Sequence, residues 1–337
     1  MRLRRPLLVG TAVLVVALLI GVTTGPAGLT ASAVLRDLLD VLPGVSVDSG
    51  LTPPQQAVLW QIRLPRVVLG AVVGASLALA GAAYQGVFRN PLADPYLLGV
   101  SSGAGLGATL ALVAGGSLGP FPVSLLAFIG GMVGVAATYA LGSSVGGGRS
   151  AVVIILAGVA VAAFANAAQT YVQQRYDDSL RSVYSWLLGR LSTDGWSDVV
   201  AVLPLVIVAA FVILIHRRIL DVLAVGDLEA ATLGIAPDRT RLLLVVAATL
   251  GTAAVVSVSG LIGFVGLLIP HTVRLLFGVS YRVLVPVAAI FGAAFLVLTD
   301  VLARTVIAPA ELPIGVVTAV VGAPFFLLVL RRSRVVA

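Results

Sequence analysis

The 337-residue sequence has no cysteine and no lysine, only two histidines, and a charged fraction of 10%. Without cysteine, disulfides, thiolate catalysis, iron–sulfur clusters and cysteine-based zinc sites are excluded. Without lysine, a phosphate-binding loop of the Walker A type cannot be completed, and Schiff-base chemistry is excluded as well. All 21 basic residues are arginine. His216 and His271 lie far apart in sequence, and neither stands in an HExxH pattern. What the chain has in excess is apolar surface: 59% of its residues are hydrophobic and its mean hydropathy is +1.12. A soluble fold of this length could not bury that much, so composition predicts a polytopic membrane protein. The net charge of +7 then reads as arginine on cytoplasmic loops rather than as a nucleic-acid surface.

Charges are costly in hydrocarbon, so charge-free runs count the spans. They cover 6–35, 67–88, 95–148, 150–174, 199–216, 242–273, 283–299 and 312–330. The run 95–148 is divided by Gly115-Gly116-Ser117-Leu118-Gly119-Pro120, and the run 242–273 by Ser259-Gly260. The expectation is an all-α polytopic membrane protein whose residues 1–337 form one transmembrane domain. Its ten spans fall at approximately 7–24, 66–88, 95–114, 121–141, 151–172, 196–216, 241–258, 261–278, 283–301 and 312–331. The 37 glycines suit a tight bundle in which helix backbones approach closely.

An even number of spans puts both termini on one side. Arg2, Arg4 and Arg5 before the first span and Arg331, Arg332 and Arg334 after the last make that side cytoplasmic. Arg89, Arg149, Arg217, Arg218, Arg239, Arg241, Arg274 and Arg282 also fall inside; Arg36, Arg63, Arg66, Arg175, Arg181, Arg190 and Arg304 fall outside. The arginine-rich start, the apolar stretch and Thr30-Ala31-Ser32-Ala33 also fit a cleaved signal peptide, which would leave nine spans.

Five stretches stand out. Trp60-Gln61-Ile62-Arg63-Leu64-Pro65-Arg66 opens the second span from outside; if helical, its two arginines share a face, as an interfacial anchor or a contact for acidic groups. Gln85 to Gly99, with Arg89-Asn90-Pro91-Leu92-Ala93-Asp94-Pro95, is a cytoplasmic turn broken by two prolines, readable as a simple turn or as a gate. Ala224 to Ile235 is a short charged helix former ending at Gly234, either a surface helix or a segment that slots into a cytoplasmic partner. Gly260 to Arg274 holds Pro270 and His271 near the inner face, the histidine reading as a structural hydrogen-bonding group. Asp300 and Arg304, four apart, can pair near the outer face, and Glu311-Leu312-Pro313 opens the last span.

Taken in order, these stretches resemble the FecCD-type family, the permease subunits of ABC importers for iron–siderophore, haem and cobalamin. The resemblance runs from about Trp60 to Arg332. It implies a ten-helix permease used as a pair, either a homodimer or two paralogues, in a bacterial cell membrane, with two ATPase subunits inside and an extracytoplasmic binding protein outside. It implies docking of that protein on Arg63, Arg66 and Arg304. It implies coupling to the ATPase through a segment within 221–238, with Gly226, Asp227, Glu229, Ala230, Leu233 and Gly234. It places a cytoplasmic gate at Asn90 and Leu92, and at Ala151 and Val152, where the family more often has small polar residues. No cofactor is expected on this chain; ATP and Mg would be used by the partner ATPase. An iron–siderophore complex is the expected cargo, with haem or cobalamin as alternatives.

Two other classes meet obstacles in the residues. An ion-coupled secondary transporter usually carries ionisable groups at the bilayer midplane, whereas the runs here hold only neutral polar groups such as Asn166 and Gln169. An intramembrane hydrolase would have to bring Ser101 or Ser102 within reach of His271.

Overall fold

The computed structural model describes residues 3–25, 28–41, 46–115, 123–144, 151–192 and 195–333. All regular structure among them is helical. The chain begins with α1 (Arg4–Thr23), α2 (Ala31–Asp40) and α3 (Pro53–Ala57), which runs through a π-helical turn (Val58–Arg63) into α4 (Leu64–Val87). A 3-10 turn (Pro95–Leu98) leads into α5 (Val100–Ala114), followed by α6 (Val123–Ser144), α7 (Ala151–Arg175) and the short α8 (Leu180–Leu187). The second half holds α9 (Ser197–Val225), α10 (Asp227–Thr232), α11 (Pro237–Ser259), α12 (Val265–Phe277), α13 (Tyr281–Thr305) and α14 (Ile314–Ser333).

A helix lies at each of the ten positions where a span was expected. Among the described residues, seven stretches are long and apolar enough to cross a membrane: α1, the continuous Pro53–Val87, α6, α7, α9, α11 and α13. α5 and α12 are apolar but shorter, as is the part Ile314–Leu327 of α14. The expected break at Ser259-Gly260 is present, with Gly260 at φ 67° closing α11. The expected turn after Gly115 lies outside the described residues, as do Arg2, Arg149 and Arg334.

α4 is the centre of the bundle and touches α9, α11, α12 and α13. Its small residues let it sit there. A Cβ on Gly74 would fall 2.1 Å from the Gly292 carbonyl oxygen, so α4 and α13 cross almost backbone to backbone. α5 and α6 do the same at Gly103 and Gly130, where the Cβ would lie 2.2 Å from carbonyl oxygen in each direction. α4, α11 and α13 are mostly buried within the chain, whereas α1, α6, α7 and α9 leave most of their apolar surface outward. Outward apolar faces on long helices suit lipid or a second apolar subunit.

Residues 88–99 re-enter the bundle after α4 ends. Three neighbours fix their depth. Leu97 O faces Gly158 of α7, Gly99 O faces Gly134 of α6, and Pro95 Cδ faces Gly266 of α12. Gly158 is seven residues into α7 and Gly134 ten residues from the end of α6. At about 1.5 Å per residue, the 3-10 turn sits roughly 10–15 Å above the helix ends. The expected span 95–114 therefore starts with this turn rather than with α-helix, and α5 begins inside the bundle. Pro91 and Pro95 lack the amide protons a continuing helix would need.

Candidate functional site

The re-entrant turn is built by side chains that replace lost helical hydrogen bonds. Asn90 Oδ1 accepts from the Leu92 amide at 2.9 Å, and Asp94 Oδ1 accepts from the Tyr96 amide at 2.9 Å. Both are turns in which a short polar side chain mimics backbone. Gly99, at φ 83°, ends the 3-10 turn and starts α5. Leu92 is exposed, and Asn90 partly so.

A second irregular stretch, Gly260 to Phe264, enters from the opposite end and meets this turn. The Tyr96 hydroxyl donates to the Ile262 carbonyl and accepts from the Ile262 amide, both at 3.1 Å. One phenol thus satisfies both backbone groups of a residue that has no helix to supply partners. Irregular backbone at this depth is tolerated where protein or a cavity surrounds it. Beside it lies a cavity of about 410 Å³, lined by Ser101, Asn166, Gln169, Thr170, Gln173 and Leu261 among others. The polar groups of α7 noted in the sequence thus face one space, together with the start of α5.

Ser102 and His271 have separate local partners. Ser102 Oγ donates to Gly99 O at 3.2 Å, and the His271 ring packs edge-on against Phe325.

At the end expected to be cytoplasmic, the segment 226–235 forms α10. Gly226 is extended at φ 176°, and α10 closes in a Schellman motif: Gly234, at φ 75°, bonds Ala231 O at 3.0 Å and Ile235 bonds Ala230 O at 3.0 Å. Ala230 is buried beneath the helix, whereas Leu228 and Leu233 are exposed. Glu229 is also exposed. Asp227 anchors α10 from two sides, pairing with Arg89 and with Arg241, whose Nη1 lies 2.9 Å from Asp227 Oδ2. Arg89 also donates from Nε to Leu223 O at 2.7 Å, capping the end of α9. Arg89 has φ 50°, a left-handed conformation costly for a residue with Cβ. It is the residue that starts the re-entrant turn, so one side chain ties α10 to Asn90 and Leu92. Ala151 and Val152 begin α7, and Val152 is exposed; Leu97 meets the same helix one to two turns further on.

At the opposite end Arg63, Arg66 and Arg304 do gather, but mostly toward their own chain. Arg63 is buried and donates to Val22 O at 3.0 Å; Arg304 is buried and donates to Gly21 O at 2.7 Å. Both therefore cap the last carbonyls of α1, where the helix dipole favours positive charge. Arg66 makes a double fork, to Asp300 at 2.8 Å and to Glu311 at 2.8 Å. Asp300 also lies 3.3 Å from Arg304 Nε, the pairing expected from their spacing. Arg63 and Arg66 do not share a partner: Arg63 turns to the last carbonyls of α1, and Arg66 to Asp300 and Glu311. Only the Arg66–Glu311 edge reaches the surface, with Glu311 45% exposed. The fork with Arg66 holds the Glu311 carboxyl below its ordinary value, against the opposing effect of burial.

Comparison with known proteins identifies the family. The FecCD transport family matches residues 13–332. The chain belongs to the FecCD transport family. It is 40% identical over 330 residues to the uncharacterized ABC transporter permease protein YvrB of Bacillus subtilis, covering 97% of this chain and 93% of that one. It is 44% identical over 286 residues to the cobalamin import system permease protein of Halobacterium salinarum, covering 85% of this chain and 76% of that one. It is 40% identical over 277 residues to the Fe(3+) dicitrate transport system permease protein of Escherichia coli, covering 82% and 86%. A solved inward-facing structure assigned to the metal-chelate type of ABC transporter superposes with a TM-score of 0.84 at 29% identity, over 98% of this chain and 99% of that one. This FecCD member is an ABC importer permease, a membrane component rather than an enzyme.

The sequence pointed to Asn90, Leu92 and the 226–235 segment, Asp227 included, but not to the Arg89–Asp227 contact that joins them. Arg89 and Asp227 are 138 positions apart, and no spacing links them. Tyr96 lies within the motif, yet its partner Ile262 is 166 positions away.

Proposed function

We propose that the chain is one of two permease subunits, identical or paralogous, of an ATP-driven importer for a metal chelate. An iron–siderophore complex is the first choice of cargo. Two ATPase subunits bind at α10 and supply ATP and Mg²⁺ chemistry, and an extracytoplasmic binding protein delivers the chelate at the Arg66 end. All ten predicted helices cross a bacterial cell membrane, with both termini cytoplasmic. The observation that carries this reading is Arg89, which joins the exposed α10 to the re-entrant turn holding Asn90 and Leu92. When the ATPases close, α10 moves, Arg89 moves with it, and the turn opens or shuts the inner end of the path.

Docking outside is assigned to Arg63, Arg66 and Arg304, with Arg66 making the contact and the other two holding the rim in place on α1. Charge pairs at a rim set register and association rate more than affinity. Carboxylates of the binding protein compete with the exposed Glu311 for Arg66. The relatives named for Fe(3+) dicitrate and for cobalamin match at similar identity, so cobalamin, with haem, is kept as the second reading of the cargo.

The test is binding of the loaded binding protein to the permease–ATPase complex. Arg66→Glu should abolish binding while membrane insertion persists, and Glu311→Gln should strengthen it. Unchanged binding by Arg66→Glu would remove the docking assignment. A binding protein that holds haem or cobalamin and ignores ferric siderophores would replace the cargo.

A further inference from the structure

We infer that the inner rim of the bundle carries a binding site for the phosphate headgroup of an anionic phospholipid, built by Arg217, Arg218 and Arg282. The three line one cavity of about 550 Å³ between the end of α9, the α12–α13 connection and the start of α1. Its other walls are Leu3, Phe277, Gly278, Val279, Ser280 and Val283. Cations therefore sit over an apolar floor, the profile of a phosphodiester joined to acyl chains.

The charges there are not spent on the protein. Among the described residues, none of the three guanidinium groups has a hydrogen-bond or ion-pair partner. Asp221, one turn beyond Arg217 on α9, is occupied by Ser280 Oγ at 2.9 Å and by the Tyr281 amide at 2.6 Å. This contrasts with Arg66, Arg89 and Arg241, each of which pairs with a carboxylate of the chain.

Depth selects a lipid over the partner ATPase. α9 has 29 residues, about 43 Å, which exceeds a hydrocarbon core of about 30 Å. Its charge-free part ends at His216, so Arg217 and Arg218 lie where hydrocarbon gives way to headgroups. Arg282 lies just before the charge-free run of α13. α9 continues for seven residues past Arg218 before α10 begins, about 10 Å further out. The cations thus flank the membrane surface, and α10 lies beyond it. The inner leaflet is rich in anionic lipid, and basic pockets between spans on that side recognise such headgroups.

The experiment is native mass spectrometry of the intact permease–ATPase complex, released from nanodiscs of phosphatidylcholine doped with phosphatidylglycerol. The wild type should retain phosphatidylglycerol in preference to phosphatidylcholine. Each Arg→Gln change at 217, 218 or 282 should weaken retention roughly fivefold. The triple Arg→Lys variant should keep most of it, and a triple Arg→Gln variant at the outer residues Arg36, Arg175 and Arg181 should keep all of it. Equal retention by the inner triple Arg→Gln variant, or equal loss in the outer control, would overturn the site. Displacement of the lipid by millimolar inorganic phosphate would make it a free-anion site instead. Loss of ATPase subunits without loss of lipid would assign the arginines to the protein interface. None of these readouts depends on the cargo or on docking, so the result stands apart from the importer reading.

Discussion

Arg89 and Asp227 form an ion pair that joins the turn below α4 to α10, and Arg89 Nε donates to Leu223 O at 2.7 Å from the same side chain. One side chain therefore touches the end of α9 and the start of α10, and its own left-handed backbone opens the re-entrant turn. Removing it should uncouple the two ends of the stroke. Arg89→Gln should lower uptake on the order of tenfold while the ATPase activity of the complex persists. Because the chain has no cysteine, Leu92→Cys provides a single thiol whose labelling rate reports the turn. That rate should change with ATP in the parent and stay constant when Arg89→Gln is added.

The pH dependence of this link follows from Asp227. Burial favours its neutral form, but the hydrogen bonds and charges of Arg241 and Arg89 outweigh that and hold its pKa below the ordinary value. A carboxyl with a depressed folded pKa contributes stability above its unfolded pKa of about 3.9. That contribution is lost only as pH falls through the lower folded value. The ratio of uptake to ATP hydrolysis should thus show no Asp227-dependent step between about pH 8 and pH 5. Asp227→Asn should reduce the ratio across that whole range. A wild-type step in this range that vanishes in Asp227→Asn would contradict the assignment.

Helices at the ten expected positions were legible in the sequence because charge is so costly in hydrocarbon that its absence marks the apolar helices. Arg63, Arg66 and Arg304 gathered at one end, as their common side predicted. Their orientation was not legible, since whether an arginine faces a partner or the carbonyls of α1 depends on a neighbour about 40 residues or more away. The re-entrant depth of 88–99 was similarly hidden. Two prolines announce a break, but only the packing of Leu97 against Gly158 and of Gly99 against Gly134 shows how far the chain returns.

Close packing of α4 on α13 should be intolerant of any side chain at the crossing. Gly74→Ala would place a methyl 2.1 Å from the Gly292 carbonyl oxygen. The backbones must then part, at a cost of roughly 1–3 kcal/mol. Thermal stability of the purified permease should fall accordingly. Gly263→Ala is the control, because nothing lies within 4 Å of its added carbon; it should leave the transition unchanged.

Tyr96→Phe should loosen the contact between the two irregular stretches without enlarging any cavity. It removes the single oxygen that serves both the amide and the carbonyl of Ile262. Leaving buried backbone groups unpaired costs roughly 1–3 kcal/mol. Hydrogen exchange at 260–264 should accelerate in Tyr96→Phe relative to the parent, while exchange in the middle of α4 stays slow.

We propose that this chain is the membrane path of a transporter whose motor is another protein. The direct measurement is uptake of a radiolabelled ferric siderophore into liposomes holding the permease–ATPase complex, with the binding protein on the outside and ATP sealed inside. Accumulation should require ATP and the binding protein, should survive collapse of proton and sodium gradients, and should be lost with Arg89→Gln. Accumulation without ATP that follows an ion gradient would contradict the account.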